Sequence, residues 1–290
     1  MMNKKNTAGL VSKFEDRLRC PICQSQMQVV DLKSIICTKN HTFDFAKQGY
    51  VNMLNRADKS QYDKDLFVAR HDIIIESNLY DVMHERISVA MKENMRKPNK
   101  DMLILDAGSG EGSHLQRILE KCETERLTGI GIDISKEGIR LAASNYKAAI
   151  WIVGDLANTP IKSHSLQGIL NILSPANYQE FKRILSPDGI MIKVVPGPDY
   201  LKELRALLFD DTDKSSYEND ETVSLFKEHF QSVNIENLKF KQQLSQKELK
   251  NLIRMSPLTW NAELEDILKL ESRDTFEITI DLDVLIGIKD

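Results

Sequence analysis

From residue 102 onward the chain alternates between two hydrophobic periods. Compact apolar runs at 102–105, 127–132, 149–153, 166–173 and 190–195 have the length and continuity of strands buried on both faces. Between them Ser113–Cys122, 135–146 and 176–185 space their apolar residues as helices do, the first two opening on a serine suited to capping. Strand and helix in turn predict an α/β fold, a parallel sheet with helices on both faces. Upstream, Ile75, Leu79, Val82, Met83, Ile87, Ala90 and Met91 predict one amphipathic helix within 63–91, followed by a linker at 96–100 around Pro98. Near the end Phe276, Ile278, Ile280, Leu282 and Val284 alternate with Glu277, Thr279, Asp281 and Asp283, the period of a half-exposed strand. The acidic stretch 210–221 reads as a surface loop.

A length of 290 residues leaves room for one large domain and one small one, and 41% hydrophobic with 28% charged residues excludes disordered and fibrous classes. No apolar run is long enough to cross a bilayer, and the first nineteen residues lack the apolar block of an export signal, so a cytoplasmic protein is expected. The net charge of −4 is unevenly spread. Residues 1–60 hold ten lysines or arginines against five acidic residues, a net +5 that leaves −9 for the remainder. The expected division is a front module over 1–60, a linker helix over 61–100 and a main domain over 101–290. A basic module on an acidic body favours a polyanionic partner met at the front, against the plainer reading of a solubilising arm.

Three of the four cysteines cluster. Cys20-Pro21-Ile22-Cys23 is followed thirteen residues later by Cys37-Thr38-Lys39-Asn40-His41, two ligand pairs each short enough for one tight turn. Three thiolates and an imidazole make the closed tetrahedral set of structural zinc, whose binding would supply most of the folding free energy of so small a module. A redox C-x-x-C needs neither the third cysteine nor the histidine. Cys122 falls on the apolar side of its helix and reads as a small core residue.

The run 102–105 ends at Asp106 and empties into Ala107-Gly108-Ser109-Gly110-Glu111-Gly112 before a helix. Glycines at every second position let backbone approach a ligand closely, and the helix start offers free N–H groups, so a nucleoside-type cofactor fits. The dinucleotide fingerprint would need a third glycine at Ser113, and no Gly-Lys-Ser or Gly-Lys-Thr makes a P-loop.

The glycine segment resembles motif I of the class I S-adenosylmethionine-dependent methyltransferases, over most of 100–290. In that family an acidic residue closing the second strand takes the ribose hydroxyls, here Asp133, and Asp155 after the third strand matches the position beside the adenine. The resemblance implies a Rossmann-like, mostly parallel seven-stranded sheet joined to the small zinc-binding module. Further segments narrow it: 37–44, Gly49-Tyr50-Val51-Asn52, Val195-Pro196-Gly197-Pro198 and Met255-Ser256-Pro257 with Trp260. Together these resemble the bacterial 23S rRNA (guanine-N1)-methyltransferases, whose Gram-positive branch is linked to macrolide resistance. That resemblance implies one zinc held by Cys20, Cys23, Cys37 and His41. It implies S-adenosylmethionine held by Tyr80, Asp106, Gly108, Gly110, Glu111, Gly112, Asp133, Asp155 and Tyr200, and a 23S rRNA hairpin as partner, often with a homodimer. The chain departs from the family pattern at Tyr200, where histidine is usual, and at Gln167, where aspartate is more common. Asn171 and Ser174, at the end of the fourth strand, face the usual substrate side of the fold. Neither is a good proton acceptor, and the general base is left unassigned. Two other functions stay open, a methyltransferase of small metabolites with a purely structural zinc and a catalytically idle zinc-bearing RNA-binding factor.

Overall fold

The computed structural model describes residues 2–54, 62–95, 101–209, 218–260 and 262–289. The expected linker at 96–100 and most of the acidic loop lie outside the described residues. In the front module, strands β1 (Met27–Val30), β2 (Ser34–Cys37) and β3 (Thr42–Asp44) form a small antiparallel sheet. A fourth strand, β4 (Tyr50–Asn52), leaves the module and pairs in parallel with β7 (Ile150–Val153) of the large sheet. That sheet also contains β5 (Met102–Ala107), β6 (Leu127–Asp133), β8 (Leu166–Ile172), β9 (Leu185–Pro196), β10 (Gln231–Ser245) and β11 (Thr275–Ile288). Its order is β10-β11-β9-β8-β5-β6-β7-β4, with β11 antiparallel to both neighbours. The six strands located in the sequence are present, β10 completes the seven that the resemblance implied, and β4 adds an eighth.

Each face of the sheet buries its own core. One contains Tyr80, Ile104, Leu115, Trp151 and Leu249. The other takes Leu103, Leu105 and Ile132 from the sheet and Phe14, Leu18 and Ile35 from the front module, so the module shares a core with the domain. Its docking is polar as well. Arg17 donates to Gln167 Oε1 at 3.2 Å and Asp101 O at 3.0 Å, and Arg19 to Asn158 Oδ1 at 3.0 Å. Gln167 also accepts from the Leu103 amide at 2.9 Å, so this departure from the family pattern braces the sheet.

Three expectations about elements need correction. The helix within 63–91 is two helices, Lys64–His71 and Asp81–Asn94, separated by a π-turn over Asp72–Glu76 and a break at Asn78, whose φ is +53°. Ser77 Oγ donates to Ile73 O at 2.6 Å and ends the first segment. Ser113 does not cap its helix, because Gly112 occupies the cap position in the left-handed region; Ser135 does cap, accepting from the Gly138 amide. Strand β11 is half-exposed only at its start. Thr279 and Asp281 are buried by the segment that follows β9, where Glu203 accepts from the Thr279 amide at 2.8 Å and Asp281 accepts from the Asp199 amide at 2.9 Å.

Candidate metal centre and cofactor cleft

Cys20, Cys23, Cys37 and His41 converge, their ligand atoms all within 4.8 Å of one another. Cys23 Sγ lies 3.6 Å from Cys37 Sγ, and His41 Nδ1 lies 3.6 Å from Cys20 Sγ and 3.4 Å from Cys37 Sγ. These separations match the edges of a zinc tetrahedron, about 3.8 Å for sulfur pairs at the usual bond length. Each ligand pair sits on a tight turn closed by backbone hydrogen bonds, Gln24 N to Cys20 O at 2.8 Å and Asn40 N to Cys37 O at 2.8 Å. Gln24 and Asn40 take positive φ, and the His41 amide donates to Cys37 Sγ at 3.3 Å. Three thiolates and one imidazole, with no fifth metal-ligating donor among the described residues, suit a closed zinc site, and the set fits that ion.

The second site opens at the carboxyl ends of the parallel strands. Strand order reverses between β5 and β8, which places a crevice there. A cavity of about 940 Å³ fills it, lined by Gly108, Gly110, Asp133, Asp155, Tyr80 and Tyr200 among others. Gly108 has φ +86°, and a Cβ on it would come within 2.1 Å of Ser174 Oγ, so only glycine leaves this approach open. Asp133 accepts from the Gly110 amide and the Ser135 amide, both at 2.8 Å. Each of its oxygens keeps a lone pair for a further donor, the arrangement that two vicinal hydroxyls require. Burial pushes its pKa upward. Asp155 accepts from the Ala157 amide at 2.9 Å. An adenosine-bearing ligand fits this set of backbone cradle and two carboxylates.

Other expected cofactor residues stand back from the cavity wall. Gly112 has φ +84°, and a Cβ there would strike the Trp151 ring at 2.3 Å, so this glycine serves packing. Glu111 is buried and paired with Arg70, its other oxygen receiving the Ser113 amide at 3.4 Å. Asp106 is also buried, its pKa pushed up to about 7 by burial, with no hydrogen-bond partner for Oδ2 among the described residues. Asn171, expected to face substrate, is buried with its polar atoms engaged. Its amide donates to Ala107 O at 2.9 Å and Pro175 O at 3.1 Å and accepts from Lys193 Nζ at 2.6 Å. It shapes the loop, while Ser174 remains on the cavity wall. Lys193 also donates to Ser174 O at 3.0 Å, and burial pushes its pKa down to about 8.

Sequence reasoning named Tyr80 and Tyr200 but missed the rest of the polar floor, Arg70, His84 and His114. Arg70, on helix Lys64–His71, lines the cavity beside the glycine loop and carries the charge that Glu111 balances. Tyr80 and Tyr200 share a hydroxyl hydrogen bond of 2.7 Å, and burial raises the pKa of both. Beneath them His84 Nε2 and His114 Nδ1 are 2.8 Å apart; burial lowers both, His84 to about 3, so the pair is neutral. Nothing local marks Arg70 or these histidines, which meet only through the tertiary fold.

The chain matches the family described as "RlmA, N-terminal" over residues 18–60 and the family described as "Methyltransferase domain" over 104–189. It is 38% identical over 273 residues to YxjB of Bacillus subtilis (strain 168), a candidate 23S rRNA (guanine-N(1)-)-methyltransferase, covering 93% of this chain and 96% of the relative. The 23S rRNA (guanine(748)-N(1))-methyltransferase of Streptomyces fradiae is 31% identical over 253 residues, covering 87% and 89%. Among the described residues no helix is long and apolar enough to cross a membrane.

Proposed function

The chain belongs to the 23S rRNA (guanine-N1)-methyltransferase family, and on that premise we propose that it transfers a methyl group from S-adenosylmethionine to N1 of one guanine in a 23S rRNA hairpin loop. The observation that carries this reading is physical continuity. The module bearing the Cys3His cluster supplies β4 to the sheet whose loops form the cavity, so an RNA-gripping surface and a cofactor cleft are one body. Cys20, Cys23, Cys37 and His41 hold one structural zinc. Gly108, Gly110, Asp133 and Asp155 seat the adenosine half of the cofactor, with Arg70 available to its carboxylate and Tyr80 and Tyr200 closing the floor.

When bound, the cofactor supplies an electrophilic methyl carbon. The chain's task is to hold the guanine nitrogen in line with that carbon, so positioning dominates. Lys193 fixes the Asn171–Ser174 loop, which sets the wall past which the base must enter. A base in a duplex cannot reach such a cleft, and a hairpin-loop base turned outward can. Arg17 and Arg19 are spent on docking the module, which leaves exposed lysines such as Lys33 and Lys39 for the RNA backbone. Ribosomal RNA as substrate places the protein in the cytoplasm, and sedimentation of the holoenzyme reads whether two copies assemble.

The test is transfer of tritiated methyl to 23S rRNA from a methylase-deficient strain, with the product nucleoside identified by mass. We expect 1-methylguanosine. Label on small metabolites without RNA would favour a metabolite enzyme with architectural zinc, and RNA binding without S-adenosylhomocysteine binding would favour an idle RNA-binding factor. Reversing the charges of Lys33 and Lys39 is expected to weaken RNA binding and leave cofactor affinity intact; equal loss of both would sink the proposed division of labour.

A further inference from the structure

The cavity wall across the strand-order reversal from Asp133 carries an unexplained charge. Arg205 lies on the helix Lys202–Leu208 that follows β9, lines the cavity and is only 4% exposed. Its Nη2 donates to Pro198 O, while Nε and Nη1 are buried with no partner among the described residues. A guanidinium always keeps its proton, so this is a buried, half-satisfied cation, an arrangement whose cost calls for a purpose. The acids nearby are committed. Asp199 pairs with Lys239 and, at 3.4 Å, with Lys202; Glu203 accepts from the Thr279 amide at 2.8 Å. Asp281 accepts from the Asp199 amide at 2.9 Å and from Asn237 at 2.8 Å.

Position and surroundings narrow what Arg205 awaits. The ends of β5, β6 and β7 supply the glycine loop, Asp133 and Asp155, whereas Arg205 hangs from the end of β9, beside β8 and Ser174. The glycine loop already has its own cation, since Arg70 Nη1 lies 3.0 Å from where a Gly110 Cβ would be. Leu201, Leu252, Met255, Pro257 and Leu258 share the cavity wall with Arg205, a surface for the flat face of a base more than for a hydrated phosphate. Nη2 carries a second N–H besides the one given to Pro198 O, and with an unpartnered neighbouring nitrogen it makes the two-donor edge that matches O6 and N7 of guanine, the commonest arginine pairing with a base. Held by those atoms, the base leaves its N1 edge open.

We propose that Arg205 is a catalytic residue that grips the target guanine through O6 and N7 and neutralises the negative charge that collects on O6 when N1 gives up its proton. The inference rests on the guanine-N1 reading above and deepens it. The N1–H bond breaks and its proton leaves to solvent water. The freed electron pair forms the N1–CH3 bond as the methyl carbon–sulfur bond breaks, its pair staying on sulfur, and Arg205 keeps its proton throughout. Removing a preorganised donor to a developing oxyanion costs roughly 100- to 1,000-fold in rate.

The experiment compares the zinc-loaded wild-type protein with Arg205→Met and Arg205→Lys. The measurements are single-turnover methylation of 23S rRNA across pH, S-adenosylhomocysteine affinity by calorimetry, the salt slope of RNA binding and Tm. For Arg205→Met we expect a fall of roughly 100- to 1,000-fold in the single-turnover rate. Its pH–rate profile should move to higher pH, with cofactor affinity and RNA salt slope unchanged and Tm no lower than wild type. Arg205→Lys should recover part of the rate. The assignment is overturned if the rate and its pH profile do not change. A tenfold or greater loss of S-adenosylhomocysteine affinity would move Arg205 to the cofactor, and a salt slope reduced by about one charge at unchanged saturating rate would move it to a phosphate. A wild-type protein that binds S-adenosylhomocysteine yet forms no 1-methylguanosine overturns the functional reading, and this assignment with it.

Discussion

The two ligand turns of the front module and the glycine loop of the cleft solve the same problem in opposite ways. Both bend backbone sharply around a guest. The knuckles at Cys20–Cys23 and Cys37–His41 do so with side chains, and their order depends on an ion that neutralises three thiolates. The loop at 108–112 bends because side chains are missing, and its shape is held by the Asp133 carboxylate and by packing against Trp151 and Ser174. The contrast teaches which region fails as a unit and which fails piece by piece.

Removing zinc should break that comparison most sharply. Chelation, or Cys37→Ser, withdraws a binding free energy on the order of 10 kcal/mol from a module too small to fold on its own core. We expect zinc content to fall from one per chain and Tm to drop steeply, read by metal analysis and calorimetry. Glycine replacements sharpen it. Gly112→Ala forces a side chain into φ +84° and onto Trp151, and overpacking of this kind costs roughly 1–3 kcal/mol of stability by urea titration. Gly108→Ala intrudes on the cavity beside Ser174 and should chiefly weaken S-adenosylhomocysteine binding, measured by calorimetry. If the two alanines behave alike, the loop is not the pre-shaped element described.

Smaller effects come from the floor under the loop. His84 and His114 are held neutral by burial, so the folded state binds fewer protons than the unfolded one. Their contribution is present above the ordinary histidine value of about 6.5 and is lost as pH falls below it, on the order of 1 kcal/mol per histidine between pH 7 and 5.5. Urea midpoints at the two pH values check this, and a His84→Gln, His114→Gln double variant should flatten the dependence. Tyr80→Phe, which removes one hydroxyl hydrogen bond to Tyr200, is expected to cost about 1 kcal/mol by the same titration.

Much of this was legible in the chain because its signals are local. Spacing alone brought Cys20, Cys23, Cys37 and His41 together, and the family resemblance, read at the strand ends, pointed to Asp133 and Asp155. What escaped was set by contacts between distant segments. Glu111 looks available in sequence, yet Arg70, forty-one residues earlier, takes its carboxylate. Asn171 is polar at a strand end, and burial against Ala107 and Lys193 turns it inward. Strand β10 carries no strong alternation and was not anticipated; its pairing with β11 over thirteen residue pairs defines it. The boundary near residue 60 is a feature of composition, whereas β4 crosses it in space.

Strand β4 also shields something. Beyond it lies β7, whose Ile150, Trp151, Ile152 and Val153 are all buried, a short and wholly apolar strand that would otherwise present bare amides and carbonyls to other molecules. A cell short of metal would therefore accumulate a chain with an adhesive sheet edge, prone to aggregate. Loss of the ion would then appear first as insoluble protein, before any measurable decline in turnover by the fraction that stays in solution.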